Sequence, residues 1–563
     1  MRIGRSMKSG ASEGEAPLLA ARGPGLSLVL LLRSETPPLW ARELLSALAD
    51  DGHKLEWLVP ERPGPEGRLC WEGPSRVFGS SFAQRCFSAL ERKLRLGLDG
   101  AFDPGTADLL PPSSRFPSDS GSSGELGCDL VIDLTFDSRP SSGGLYGRLG
   151  AIRLEIEGLP RGGAREYWLL TARRRVVRLS VERLFAGGQT NTVCEGWTSP
   201  HVFSSAATLS RCLGRLSILC RKAVRMLALE PSAAERERLS YAVESRGITA
   251  SVRSAGRLAA ARLCARTVRH FAGRLFRRFV AREQWILILS GQGRRELSAF
   301  DPDAGKRIKP PADRDWADPF LLGRDGEAWL FFEEQIVGSP GRISCFRIAA
   351  SGDHGEPLTV LEKPYHLSYP YVFEHEGELY MVPESGENRS VDLYRCISFP
   401  LEWELETTLL PGIPAVDTSL LFRDGLWWLF TNARAGERYS KNEELYLFSS
   451  PSLLSGTWRP HPLNPVATDV RSARGAGRIF EEGGRLYRPS QDCSLSYGLA
   501  VSVNEIVSLS ENDYREEFRV VLSPGRMRGM TALHTFNRLG DLAIIDGKAR
   551  RFRLAAALRK GKA

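Results

Sequence analysis

At 563 residues the chain is too long for one ordinary domain, and two or three are expected; 42% hydrophobic and 25% charged residues leave room for substantial cores. A formal charge of +9, carried largely by arginine, suits acidic partners such as phosphorylated sugars, lipid headgroups or nucleic acid, or a plain basic surface. Ten cysteines without a CxxC pair or a short Cys/His cluster argue against a zinc site and a disulfide scaffold, and for a reducing compartment.

Residues 1–24 are small and polar and read as disordered. The apolar run GLSLVLLL at 25–32 is too short to span a bilayer and reads as a buried first strand rather than a signal peptide. A helical pattern (PPLWARELLSALADDG, 37–52) and a second strand (LEWLVP, 55–60) complete a βαβ start, which indicates a parallel sheet. A Ser/Gly/Pro-rich loop at 111–127 leads into CDLVIDLTF (128–136), apolar on both faces as a central strand is. No GxGxxG follows the first strand, so no dinucleotide cofactor is expected; neither is any other cofactor or a bound metal.

The helix ending ATLSRCLGRLSILCRKAVRMLAL (207–229) closes this first unit, and Pro231 marks its end. A connector follows at 231–283. It contains SAGRLAAARLCARTVRHFAGRLFRRFVAREQW (254–285), in which eight arginines accompany Leu258, Leu263, Phe271, Leu275, Phe276 and Phe279. Such a basic amphipathic helix either lies on an anionic membrane surface or packs its apolar face on a neighbouring domain. The chain is expected to be cytoplasmic, with peripheral contact at the inner membrane surface through 254–285.

From residue 284 to about 557 a motif recurs five times. The copies begin at Ala317 (ADPFLLGRDGEAWLFFEE), Ser368 (SYPYVFEHEGELYMVPES) and Val416 (VDTSLLFRDGLWWLFTNA), with looser ones at Arg474 and Gly529. Each is an apolar strand, a Gly-containing turn and an aromatic-rich strand, a pattern that predicts a five-bladed all-β propeller. WILILS (285–290) starts it, and strands from the two chain ends are expected to close one blade. Trp329, Trp427 and Trp428 are explained as blade core.

Polar residues beside the inner strands are harder to explain as core. Asp318 and Asp417 open the first and third repeats and Arg474 precedes the fourth. Glu333 and Glu334 end the first hairpin, Glu384 the second, Gln491 and Asp492 the fourth, and His534 lies within the fifth. Paired carboxylates about 5–9 Å apart suit glycosidic acid–base chemistry, while the structural alternative is that Asp318 and Asp417 cap turns. Asp318 is the candidate base or nucleophile, and Glu384 or Asp417 the acid. Glu334, His366, Tyr369, Arg474, Gln491, Asp492 and His534 are candidates for holding substrate.

Two resemblances extend this reading. Residues 25–230 resemble the formyltransferase family on the helix PPLWARELLSAL, the strand DLVIDL and the segment GAIRLEIEGLPRGGA (150–164). That implies a formyltransferase-like α/β fold. Arg153 and Glu155 stand where the family has its Asn and His, and AGGQTNT (186–192) lacks its carboxylate. Arg and Glu cannot supply the neutral oxyanion donor and near-neutral base, so the unit is expected to be inactive.

The repeats resemble the five-bladed fold of invertases, levansucrases and arabinanases, and more closely the N-terminal domain of glucosamine inositolphosphorylceramide transferases. The matching strings are WADPF (316–320), YHLSYPYVFE (365–374), YMVPES (380–385), WRPHPLNPV (458–466), ARGAGRIF (473–480) and YRPSQDCSLSYG (487–498). Against the hydrolase pattern, Asp318 matches the first-blade base or nucleophile. The second-blade Asp is replaced around Tyr369 and Pro370, and the third-blade acid falls to Asp417 or Glu384. The resemblance implies a carbohydrate-active or carbohydrate-binding protein of glycan or glycolipid assembly, with a glycan, sugar phosphate or glycolipid as partner and no nucleic acid. The alternatives are a non-catalytic sugar-recognition scaffold and an amino-sugar N-formyltransferase.

Overall fold

The computed structural model describes residues 25–32, 39–60, 114–116, 124–134, 145–157, 176–185, 189–202, 204–229, 265–273, 275–276, 281–434, 440–525, 527 and 529–552. The disordered tail expected at 1–24 lies outside them, as do most of the loop at 111–127 and residues 186–188 of the AGGQTNT segment. Among the described residues no helix is long and apolar enough to cross a membrane.

The N-terminal part is a seven-stranded mixed sheet. Strands β1 (Ser27–Leu31), β2 (Lys54–Pro60), β3 (Ser114–Phe116), β4 (Leu130–Asp133) and β5 (Ala151–Ile156) pair in parallel in the order β3-β2-β1-β4-β5. Strands β6 (Val177–Leu184) and β7 (Thr190–Thr198) then continue the sheet antiparallel. Helix α1 (Leu39–Asp50) buries Trp40, Ala41, Leu44, Leu45 and Leu48, spaced as one helical face, against the sheet. Helix α2 (Ser205–Ala228) starts at Ser204, whose hydroxyl accepts from the Ala207 amide at 3.0 Å, and buries Leu213, Leu216, Leu219, Cys220 and Leu227 in the same core. Arg153 and Glu155, neighbours on one face of β5, form an ion pair at 3.1 Å.

The C-terminal part is a five-bladed β-propeller. Blade one consists of Arg314–Arg324, Glu327–Ile336, Gly341–Arg347 and Leu358–Leu361; blade two of Ser368–His375, Glu378–Glu384, Ser390–Ser398 and Glu402–Pro411. Blade three is built on Val416–Arg423, Leu426–Asn432 and Glu444–Ser450, and blade four on Arg474–Gly475, Arg485–Asp492, Ala500–Leu509 and Tyr514–Leu522. Blade five joins both ends of the propeller: Met530–Leu539 pairs with Leu542–Phe552, which pairs with Ala281–Ser290, which carries Lys306–Ile308 on its outer edge. The ring therefore closes by hydrogen bonds rather than by exposing edges.

The basic segment divides differently from its sequence pattern. Residues 265–273 and 275–276 are helical, but the chain is already strand at Ala281, because 281–284 pair with 549–552 and Arg282 meets Asp315 at 2.7 Å. Trp427 and Trp428 are buried in the walls between blades, and Trp329 packs edge-on against Phe399.

Four inner strands break register at the same place, between Ala317 and Phe320, Ser368 and Tyr371, Val416 and Ser419, and Leu533 and Phe536. In the first three the residue after the break is left-handed: Asp318 at φ 50°, Tyr369 at 46° and Asp417 at 50°. Each bulge re-aims one side chain out of the strand alternation, at a strain cost that non-glycine residues bear at functional positions.

Phe536 is fully buried where blade five meets blade four, its ring 5.0 Å from Phe300 and 6.2 Å from Phe480. Phe536→Ala is expected to cost about 3–5 kcal/mol, read as a lower urea midpoint for the propeller transition.

Candidate functional site

A cavity of about 760 Å³ opens on the propeller, walled by residues of every blade. Asp318, Glu333, His366, Glu384, Arg474 and His534 line it, together with Trp285, Lys441, Asn442 and Tyr497.

On one side lies a buried cluster from blades one and five. The His534 Nδ1 stands 2.9 Å from Asp546 and 3.2 Å from Asp318. Asp546 also accepts the backbone N–H groups of Asp318 (2.9 Å) and Thr535 (2.6 Å), and the Thr535 hydroxyl donates to Asp318 at 2.7 Å. Burial disfavours a charged imidazole, but the Asp546 and Asp318 carboxylates outweigh it and lift His534 to about 9. Burial raises Asp318 to about 6 against the pull of His534. At neutral pH the cluster therefore holds an imidazolium between carboxylates, with Nε2 facing the Tyr497 hydroxyl at 2.6 Å.

Asp318, His534 and Asp546 are also the group, among the described residues, whose potential metal-ligand atoms converge, all within 4.8 Å of one another.

The opposite side is organised by Arg474. Its guanidinium bonds Asp417 at 2.6 Å and Asn442 at 2.6 Å, lies 3.8 Å from Glu384, and sits 4.8 Å over the Tyr497 ring. Gln491 donates to the same Asp417 oxygen at 3.0 Å. Asp417 is thus covered by Arg474 and Gln491 and does not line the cavity. Glu384 does line it, 3.5 Å from Lys441.

The remaining sequence candidates separate. His366 lines the wall, with Nδ1 accepting from Gly341 N–H at 3.0 Å and Nε2 3.5 Å from Glu333. Tyr369 is fully buried beneath the floor, where its hydroxyl accepts the Gly477 amide at 2.6 Å and donates to the Gly477 carbonyl at 3.1 Å. A side chain on Gly477 would meet the Phe536 carbonyl at 2.0 Å, so only glycine admits this approach. Asp492 lies off the cavity, accepting from Ser494 N–H. Glu334 faces the interior of blade one, held by Arg314, Arg342, Trp316 and Ser344.

Its neighbour Glu333 is the carboxyl that reaches the cavity. Glu333 pairs with Ala317 as Glu384 pairs with Ser368, so the two are equivalent positions on adjacent blades. Burial first, then the nearby Asp318 and Glu384 carboxylates, push Glu333 well above the usual carboxylate range. Superimposing the first two repeats from Ala317 and Ser368 carries the signal for it.

A histidine raised from 6.5 to about 9 contributes stability that is full below pH 6.5 and is lost as pH rises through 9. Asp318, raised from 3.8 to about 6, makes its contribution below pH 3.8 and has lost it above 6, so it does not add to the fall between 6.5 and 9. Denaturant titrations from pH 6.5 to 9 are expected to show stability falling with pH in the native chain, and a shallower fall in His534→Gln.

Comparison with known proteins falls on this part of the chain. Residues 311–533 match the family model described as glucosamine inositolphosphorylceramide transferase 1, N-terminal. Over 204 residues the chain is 41% identical to glucosamine inositolphosphorylceramide transferase 1 of Arabidopsis thaliana and 42% to that of Oryza sativa subsp. japonica. These alignments cover 36% of this chain and 26% and 27% of those proteins, so the chain spans about a quarter of the length of the curated relatives it matches. Among solved structures, Zg3597, a family 117 glycoside hydrolase of Zobellia galactanivorans, aligns at TM-score 0.31 and 13% identity over 48% of this chain and 91% of that one. The Bombyx mori GH32 beta-fructofuranosidase BmSUC1 aligns at 0.31 and 12%, over 41% and 54%. The C-terminal region therefore carries a propeller domain that matches the N-terminal domain model of glucosamine inositolphosphorylceramide transferases.

Proposed function

We propose that the axial cavity is the carbohydrate site of a protein of glycan or glycolipid assembly, and that it carries out acid–base chemistry at a glycosidic carbon. The observation that carries this reading is two carboxyls of blade one, Asp318 and Glu333, that line the cavity in different electrostatic surroundings. Burial and like charge push Glu333 well above the usual carboxylate range, while Asp318, at about 6, stands beside the His534 cation at 3.2 Å.

In this reading Glu333 gives its proton to the departing glycosidic oxygen as the C1–O bond breaks. Asp318 takes the proton from the incoming hydroxyl or water as its oxygen bonds to C1. Glu384, Arg474 and His366 hold hydroxyl or phosphate groups, and Trp285, tilted over His534 at 4.7 Å, gives the sugar a face to stack on. Asp417 and Gln491 fix Arg474, and Tyr369 fixes the floor. The names of the matched relatives point to amino sugars and inositol-phosphate glycolipids as the first compounds to try. The N-terminal half we read as an inactive formyltransferase-like layer, a reading supported by the Arg153–Glu155 ion pair where that chemistry needs a neutral amide and a base.

The test is turnover of amino-sugar glycosides and inositol-phosphate glycolipids by the intact chain, followed by mass spectrometry. Glu333→Gln and Asp318→Asn are each expected to lower turnover by about 10²–10⁴-fold while binding is kept. Binding without turnover in the native chain would leave a sugar-recognition module, and turnover undiminished in both variants would refute the assignment.

A further inference from the structure

The N-terminal half meets the propeller at the two loops that wall the cavity. Thr198 and Ser199 are consecutive residues, the last of β7 and the first beyond it. The Thr198 hydroxyl donates to Glu443 at 2.8 Å, and the Ser199 hydroxyl to the Ser494 carbonyl at 2.7 Å. Both residues are buried. Just before them Trp197 bridges to Asp469, and its carbonyl accepts the Val470 amide at 3.1 Å. From α2, Arg215 reaches the same Glu443 at 2.7 Å, pairs with Glu444 and donates to the Ser440 carbonyl at 3.2 Å. Further along α2, Lys222 donates to the Pro465 and Val466 carbonyls, and Arg225 to that of Asn464.

What these contacts hold is the wall of the cavity. The loop fastened through Glu443 carries Ser440, Lys441 and Asn442 into the lining. Asn442 sets Arg474, and Lys441 faces Glu384. The loop fastened through Ser494 carries Tyr497, which stacks on Arg474 and bonds His534. One short segment thus grips two loops whose side chains meet at Arg474. The grip is polar, directional and dry, and hydrogen bonds in such a place set geometry rather than merely adding area.

We propose that the N-terminal half is a clamp for the cavity, with Thr198, Ser199 and Arg215 as positioning residues for Arg474 and Tyr497. The site is then a product of both halves of the chain, and the propeller alone carries it with slack walls. This rests on the cavity being the functional site proposed above, but its test requires no sugar.

The experiment is hydrogen exchange by mass spectrometry on the intact chain, comparing the native protein with Thr198→Val and Ser199→Ala. Phenylglyoxal labelling of Arg474 serves as a second readout. Each of these variants deletes one hydroxyl and leaves the fold intact, whereas an Arg215 substitution would strand two buried carboxylates and endanger folding. Amides of 440–444 in Thr198→Val, and of 492–499 in Ser199→Ala, are expected to exchange about five- to tenfold faster, the loss of one buried hydrogen bond. Arg474 should become more reactive in both, with strands 329–332 and 427–430 unchanged. Thr198→Ser, which keeps the hydroxyl, should restore native exchange. Native exchange and native labelling in both variants would overturn the clamp, and so would a uniform rise that includes the blade strands. If the loops loosen as expected while no saccharide ever binds, the clamp stands and the sugar reading falls.

Discussion

The imidazolium of His534, held between Asp318 and Asp546, is the interaction on which the cavity depends. Three charged groups are buried together near the propeller axis, and the arrangement is tolerable only because the cation lies within hydrogen-bond distance of both anions. The same Asp546 accepts backbone amides from blade one and blade five, so charge compensation and ring closure are one structure. Arg474 repeats the logic across the cavity, bonded to Asp417 and adjacent to Glu384. Between these two compensated clusters Glu333 is buried beside like charges, which pushes its carboxyl well above the usual carboxylate range.

The blades were legible in the sequence because each must alternate apolar and polar residues around a tight turn, and five such hairpins recur from Ala317 to Gly547. Much of the wall was legible too, since Asp318, Glu384, Arg474 and His534 are polar residues at strand positions that a blade core would fill with apolar ones. Alternation alone does not decide between Glu333 and Glu334; only superimposing the first two repeats does. The bulge after Ala317 changes which side of the strand faces the axis, and alternation read through a hairpin end cannot register that shift. Asp417 shows a second limit. It stands on the same kind of bulge as Asp318, yet Arg474 from blade four closes over it, a contact between residues far apart in the chain. Tyr497, Lys441 and Asn442 lie on loops without periodic pattern, and nothing local marks them as wall residues.

The two halves are joined differently from domains that merely adjoin. Their contact is made by buried hydroxyls, arginines and a lysine directed at carbonyls and carboxylates, rather than by an apolar face. Such an interface is demanding in geometry, because each unsatisfied group would cost its full desolvation. It therefore fixes the orientation of what it holds. Here the held elements are the loops beside Arg474, which line the cavity.

The central claim is that the cavity between Asp318, Glu333 and Arg474 binds sugar, and ligand capture tests it most directly. The intact chain would be incubated with a mixed pool of glycans, sugar phosphates and inositol-phosphate glycolipids, and native mass spectrometry would report what is retained. The account predicts a saccharide-bearing ligand on the native chain that is lost from Glu384→Gln, an isosteric change that leaves the Arg474–Asp417 pair in place. Retention undiminished in that variant, or no saccharide retained by a folded native chain, would contradict it.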